Sequence, residues 1–265
     1  MKTKTHAART GGIYGSRATR WIFVGPAMLV VICLLVYPLL STLVYSFTNK
    51  TMIRPDFDVV GLKNYISLLT DEEFYLAFGH TLFWTICSVL GQVIVGFIGA
   101  LCLNRVKNNV AKNMFRIFAI IPWAFPAIAT AMTWKWLLNG IYGFIPTMLK
   151  DLGLTEGLIQ FLSNSDLVLP TLVGINIWFG APLIMVNVYA ALQTIPRDQY
   201  EAAQIDGANA WQSFRYVTAP HIRTVVGLLV VLRTVWVFNN FDIIYMITGG
   251  GPAGASRTMP IFIYD

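Results

Sequence analysis

Residues 201–222 read EAAQIDGANAWQSFRYVTAPHI. This polar segment, broken by a glycine, lies between two long apolar stretches, 167–195 and 224–247. Pro196 stands just ahead of it and suits the first turn of a helix, where its missing N–H costs nothing. Asp198 and Glu201 favour the same N-terminal end through the helix dipole. Residues 200–205 form a short Ala-rich helix, which Asp206-Gly207 stops because glycine adopts the left-handed C-cap conformation. Asn209 begins a second helix, with Gln212 at the spacing of a capping box. Trp211, Phe214 and Val217, with Tyr216 beside them, give that helix an apolar face, and Thr218-Ala219-Pro220 is expected to end it. The product is a helix, a glycine bend and a helix. Two uses fit: an amphipathic linker in the lipid interface, or a docking element for a partner. Ala202, Ala203, Gly207 and Ala208 permit close backbone approach, and Glu201 offers a charge for a partner arginine.

The rest of the chain is built for lipid. Of 265 residues, 56% are hydrophobic and 12% charged, about half the charged share of soluble domains. Mean hydropathy is +0.61. One water-soluble core cannot hide so much apolar surface, so the class is all-α: a polytopic membrane helical bundle. The net charge of +6 fits cationic loops. No basic stripe interleaves with aromatics, so nucleic acid is not expected as a partner; membrane lipid is. Cys33, Cys87 and Cys102 lie far apart in apolar runs and suit packing rather than a disulfide framework or a metal site.

A spanning helix needs about 20 apolar residues. Five runs qualify: 21–47, 81–103, 117–134, 167–195 and 224–247. The first is 27 residues long, well beyond a signal-peptide core, and is expected to be retained. Lys and Arg set the orientation. Lys2, Lys4, Arg9, Arg17 and Arg20 precede the first span. Arg105, Lys107, Lys112 and Arg116 follow the second, and Arg197, Arg215 and Arg223 follow the fourth. Those three segments share one face, and their basic residues outnumber the other face's Lys50, Arg54, Lys63, Lys135, Lys150 and Arg257. The reading is a cytoplasmic tail at 1–20, a transmembrane domain at 21–265, and a cytoplasmic helix–bend–helix loop at 196–223. On the outer face, 61–69 and 71–78 have helical spacing and are expected to lie along the surface.

With that topology in hand, Glu201-Ala202-Ala203, Asp206-Gly207-Ala208, Trp211, Phe214 and Pro220 resemble the EAA loop of binding-protein-dependent ABC importer permeases. The end departs mildly, with Val217 and Ala219 where the family has Ile and Leu. FNNFDIIYMITGGGP, residues 238–252, and GLKNYISLL, residues 61–69, are similar to carbohydrate permeases of the maltose-transporter type. The resemblance covers nearly the whole chain. It implies that Glu201, Ala202, Ala203 and Gly207, with Asp206 and Ala208, seat an ATPase subunit. It further implies two such ATPases, a second homologous permease and an extracellular or periplasmic sugar-binding protein. Such permeases have a sixth core helix where five are expected here. The implied substrate is a di- or oligosaccharide; glycerol-phosphate-type compounds or polyols are the alternative, since related permeases carry them. No Gly-x-x-x-x-Gly-Lys-Ser/Thr loop occurs, so ATP and Mg are expected on the partner ATPases, and this chain is expected to be no enzyme and to bind no cofactor.

Several polar residues interrupt the spans. Arg233 lies near the middle of the fifth, where an arginine costs about 2.5–3.5 kcal/mol to insert, so it must face protein or water. Asn239, Asn240 and Asp242 follow it, and Asn176 and Asn187 lie in the fourth span. Each fits helix–helix bonding. As a group they outline a polar path for sugar hydroxyls, with Trp178 and Tyr245 as stacking surfaces. Pro122, Pro126 and Pro182 kink their spans. Gly96 and Ala100 have helix-contact spacing. Gly249, Gly250, Gly251 and Pro252 form a flexible outer turn, for which the resemblance implies contact with the binding protein.

Two rivals come from other classes. A lipid head-group transferase would need an arginine where Trp211 stands. An ion-coupled secondary transporter would carry inverted repeats, and no repeat is found.

Overall fold

The computed structural model describes residues 17–51 and 57–265, with side chains from residue 21 onward. Most of the expected tail, 1–16 with Lys2, Lys4 and Arg9, lies outside the described residues, as do Arg54 and Asp56. The chain divides into two compact units, 1–71 and 72–265.

The first unit holds α1 (Arg17–Val31), a π-turn (Ile32–Val36) and α2 (Tyr37–Tyr45), which together supply the apolar span Trp21–Tyr45. It is apolar on every face, as lipid requires. A short α3 (Lys63–Leu69) follows, on the stretch expected to be helical. Asn64 Nδ2 donates to the carbonyls of Ser46 and Thr48 and ties α3 to the end of α2.

The second unit is a bundle around α8 (Ser165–Gln193), with α4 (Glu72–Arg105) packed along it. Lipid gives helices no hydrophobic reason to associate, so close packing must do it. Gly96 supplies that closeness. A Cβ there would stand 2.7 Å from the Ala181 carbonyl and 2.7 Å from Ile184 Cβ. Ala100, one turn on, is fully buried beside Leu103, Ile184 and Val188. Around this pair lie α5 (Asn109–Ala124), α6 (Ala127–Leu137), α7 (Phe144–Asp151) and α11 (Ala219–Phe238). The short α12 (Asp242–Thr248) packs on α6, and α13 (Met259–Tyr264) packs on α4.

Among the described residues, four helices are long and apolar enough to cross a membrane, and five if the bent pair α5–α6 counts as one span. Three spans differ from expectation. The second span begins at Glu72, not residue 81, so 72–78 is its first two turns rather than a surface helix. Gly79 does not break it, since an interior glycine costs only about 1 kcal/mol. The third is two helices meeting at 93°. Phe125 is extended (φ −76°, ψ 145°), as the residue before a proline prefers. The fifth runs over Ala210–Phe238 and stops short of 247. At its far end Asn239 turns its amide back to the Val235 carbonyl, 2.8 Å, and α12 starts afresh. At its near end Pro220 does not stop the helix. A π-turn at Phe214–Thr218 re-registers the chain, and Pro220 falls in the first turn of α11, where its missing N–H is tolerated.

Candidate functional site

The polar segment at 196–222 folds by its own local chemistry. α9 (Arg197–Ile205) begins after Pro196 with Asp198 in its first turn. It ends where the Asp206 N–H donates to the Ala202 carbonyl (3.0 Å) and the Ala208 N–H to the Ala203 carbonyl (2.9 Å). Gly207, between them, has φ +77°, a conformation that costs other residues about 1–2 kcal/mol. Asn209 then caps α10 (Ala210–Ser213). Its Oδ1 accepts from the Gln212 N–H, and Gln212 Oε1 accepts from the Asn209 N–H, at 2.9 and 2.8 Å. This is the expected capping box. Tyr200 Oη and Thr218 Oγ1 meet at 2.9 Å and close the bend from the inside.

The outer surface of the bend is a cleft of about 400 Å³. Ala202, Ala203, Asp206 and Ala208 line it, with Gln212, Tyr216 and Val217 opposite. Glu201 is exposed beside it and makes no ion pair among the described residues. Ile205 and Trp211 are 86% and 64% exposed. Apolar side chains, small residues and the carboxylates of Glu201 and Asp206, neither in an ion pair among the described residues, suit a protein partner. Trp211 stacks on Phe214, which meets Phe97 of α4 edge-on. The cleft is therefore braced against the bundle.

Of the polar residues expected along a path, Arg233 and Asn176 are joined through Gln92, and the others make separate contacts. Arg233 is 5% exposed, and its Nε donates to Gln92 Oε1 of α4 at 2.7 Å. Gln92 Nε2 donates in turn to the Asn176 carbonyl of α8, 2.9 Å. The Asn176 side-chain amide is buried with Nδ2 unpartnered. Asn187 and Asn239 bond carbonyls of their own helices. Asn240 is partly buried with Oδ1 unpartnered, and Asp242 is exposed in the first turn of α12. Trp178 meets Trp134 edge-on, and Tyr245 stacks on Phe241 at 4.6 Å.

The glycine turn is tied down rather than loose. Gly249 and Gly250 take φ +58° and +85°, and Gly250 is buried. Ser256 Oγ donates to the Gly251 carbonyl and meets Thr248 Oγ1. A cis Gly251–Pro252 bond completes the turn. Arg257 then pairs with Glu73 of α4 at 2.8 Å and with Asp265 at 3.3 Å. The exposed apex is Ala253, beside a small pocket lined by Glu73, His80 and Arg257.

Gln92 escaped the sequence reading, as did Trp84, whose Nε1 donates to the Val237 carbonyl at 2.9 Å. A signal was present. Thr81, Thr85, Ser88 and Gln92 put polar side chains at helical spacing in an apolar run, and all four are buried.

Residues 92–265 match the family described as binding-protein-dependent transport system inner membrane component, and the chain belongs to that family. It is a multi-pass membrane protein of the transport permease class. The trehalose/maltose transport system permease protein of Thermococcus litoralis is 32% identical over 92% of this chain and 82% of that protein. The maltodextrin transport system permease protein of Streptococcus pneumoniae is 33% identical over 96% of this chain. The chain spans only 62% of that relative's length. Among solved structures, a bacterial ABC transporter involved in import of the acidic polysaccharide alginate superposes with TM-score 0.80. It is 22% identical, over 92% of this chain and 82% of that one. The fold is shared.

Proposed function

We propose that this chain is one of two permease subunits of an ATP-driven importer for a di- or oligosaccharide. The N-terminus and the bend at residues 201–217 face the cytoplasm. Two ATPase subunits bind and hydrolyse ATP with Mg, and one of them seats in the cleft beside Glu201. An external binding protein delivers the sugar. Closure of the ATPases pushes on α9 and α10, and the helices move from an inward-open to an outward-open arrangement.

The observation that carries this reading is the exposed helix–bend–helix, with Glu201 unpaired beside a cleft of small residues. The excess of Lys and Arg on the same face supports the cytoplasmic orientation. Relatives named as trehalose/maltose and maltodextrin permeases support the sugar class. Arg233 supports no ion-coupled route, since its described partner is an amide rather than a titrating carboxylate.

The test is affinity purification of the tagged chain from its native cells in mild detergent, with mass spectrometry of what accompanies it. The expected companions are an ATPase, a second permease and a solute-binding protein. Recovery of a folded chain alone would contradict the reading.

A further inference from the structure

The second arm of the bend and the buried arginine belong to one helix. Residues 210–238 run continuously through α10, the π-turn and α11. Arg233 lies 22 residues beyond Trp211, about 33 Å along a helix at 1.5 Å per residue. A displacement of the lower end reaches Arg233 along a rod. What the rod does to the rest of the bundle depends on how its upper part is fastened.

It is fastened by polar groups on one face. Arg233 donates to Gln92, and the carbonyl of Val237, one turn on, accepts from Trp84. Both bonds reach α4. Gln92 then extends the tie to a third helix, because its amide accepts from Arg233 through Oε1 and donates to the Asn176 carbonyl of α8 through Nε2. The oxygen and nitrogen of one planar amide do both at once. An ionised carboxylate would hold the arginine but could not donate to α8. A thioether would hold neither strongly. Gly180 makes the room: a Cβ there would stand 2.4 Å from Gln92 Cδ and 2.5 Å from Arg233 Nη2. Gly180 is also one turn after Asn176, so its missing side chain opens the flank of the carbonyl that Gln92 reaches.

The geometry points to Gln92 as the positioning residue that makes α4, α8 and α11 move as one body when the bend is pushed. This rests on the importer reading above. In it, force enters at the bend, travels up residues 210–238, and is handed to the other two helices by the Arg233–Gln92–Asn176 chain. Without the relay amide the long helix slips against its neighbours, and ATP is hydrolysed without a matching movement of the bundle.

The experiment uses the whole complex, with both permeases, the ATPases and the binding protein, in proteoliposomes. It reads sugar moved per ATP hydrolysed, beside assembly and thermal unfolding. Gln92→Met is expected to lower that ratio about tenfold, an ordinary size for a coupling energy, while binding-protein-stimulated hydrolysis persists. Gln92→Glu, which keeps the arginine and loses α8, is expected to fall between Met and wild type. An unchanged ratio in an assembled Gln92→Met complex would overturn the proposal. If that variant does not assemble, the Gln92→Met/Arg233→Met pair removes the buried charge as well. It is expected to assemble and stay uncoupled, and a wild-type ratio from it would equally overturn the proposal. A wild-type complex that moves no sugar with ATP would instead bring down the importer reading itself.

Discussion

The bend at residues 201–217 and the tie at Arg233 lie on the same helical path and are held in opposite ways. The bend is exposed and satisfied by neighbours in sequence: a glycine at φ +77°, an Asn–Gln capping box and carbonyls three to five residues away. The tie is buried and satisfied by residues far off. Arg233 and Gln92 are 141 positions apart, and Gln92 and Asn176 are 84 apart. A surface that must fit a partner keeps its shape before the partner arrives. A charge inside the membrane has no water to turn to, and it is stable only when the bundle is already assembled. Changes at the bend should therefore damage communication and spare the fold, while changes among the buried contacts should cost fold stability whether or not they also cost communication.

The largest expected effect is at the bend. Glu201→Lys reverses the charge of an exposed carboxylate beside the cleft. ATP-driven uptake is expected to fall roughly a hundredfold, the upper range of ordinary coupling energies. Insertion and thermal unfolding should match wild type. A parallel loss of thermal stability would break the contrast between the two regions.

Gly96→Leu attacks the opposite side. The new Cβ would stand 2.7 Å from the Ala181 carbonyl, and backbone cannot withdraw as a side-chain tip can. α4 and α8 must separate, at a cost of about 3 kcal/mol or more. A lowered unfolding midpoint in detergent checks it. Gly207→Ala sharpens the comparison, because nothing lies within 4 Å of the added Cβ. Its cost is backbone strain alone, about 1–2 kcal/mol. It should appear as faster amide exchange at residues 203–209 with little change in global unfolding. Asn209→Ala removes the cap of α10, worth about 1 kcal/mol. Its expected signature is faster exchange confined to residues 210–213.

The same contrast explains what could be read from the sequence. The bend was legible in detail, since Pro196, Gly207, Asn209 and Gln212 act on residues within a few positions of themselves. The apolar runs were legible as spans because lipid reads only length and composition. Their ends were less so. Pro220 was expected to stop a helix, yet the π-turn before it lets the helix pass, and that turn has no residue signature of its own. The 93° break at Phe125 was hinted at by Pro126, but proline spacing does not give an angle. Arg233 was flagged by its charge, whereas Gln92 was not, because its role appears only when α4, α8 and α11 lie together. The stripe Thr81, Thr85, Ser88 and Gln92 marked the face of α4 that turns inward, and reading polar periodicity inside apolar runs would have found it. Of the residues expected along a path for sugar hydroxyls, Arg233 and Asn176 meet through Gln92. Asn187 and Asn239 instead bond their own helices, as short amide side chains commonly do.

The most direct measurement is uptake by proteoliposomes that hold the complex, with ATP inside and the binding protein outside, loaded with the oligosaccharide it retains on purification. Sugar should accumulate only when ATP and the binding protein are both present, and Glu201→Lys should abolish the accumulation. Uptake that proceeds without ATP, or that survives Glu201→Lys undiminished, would contradict an importer driven through this bend.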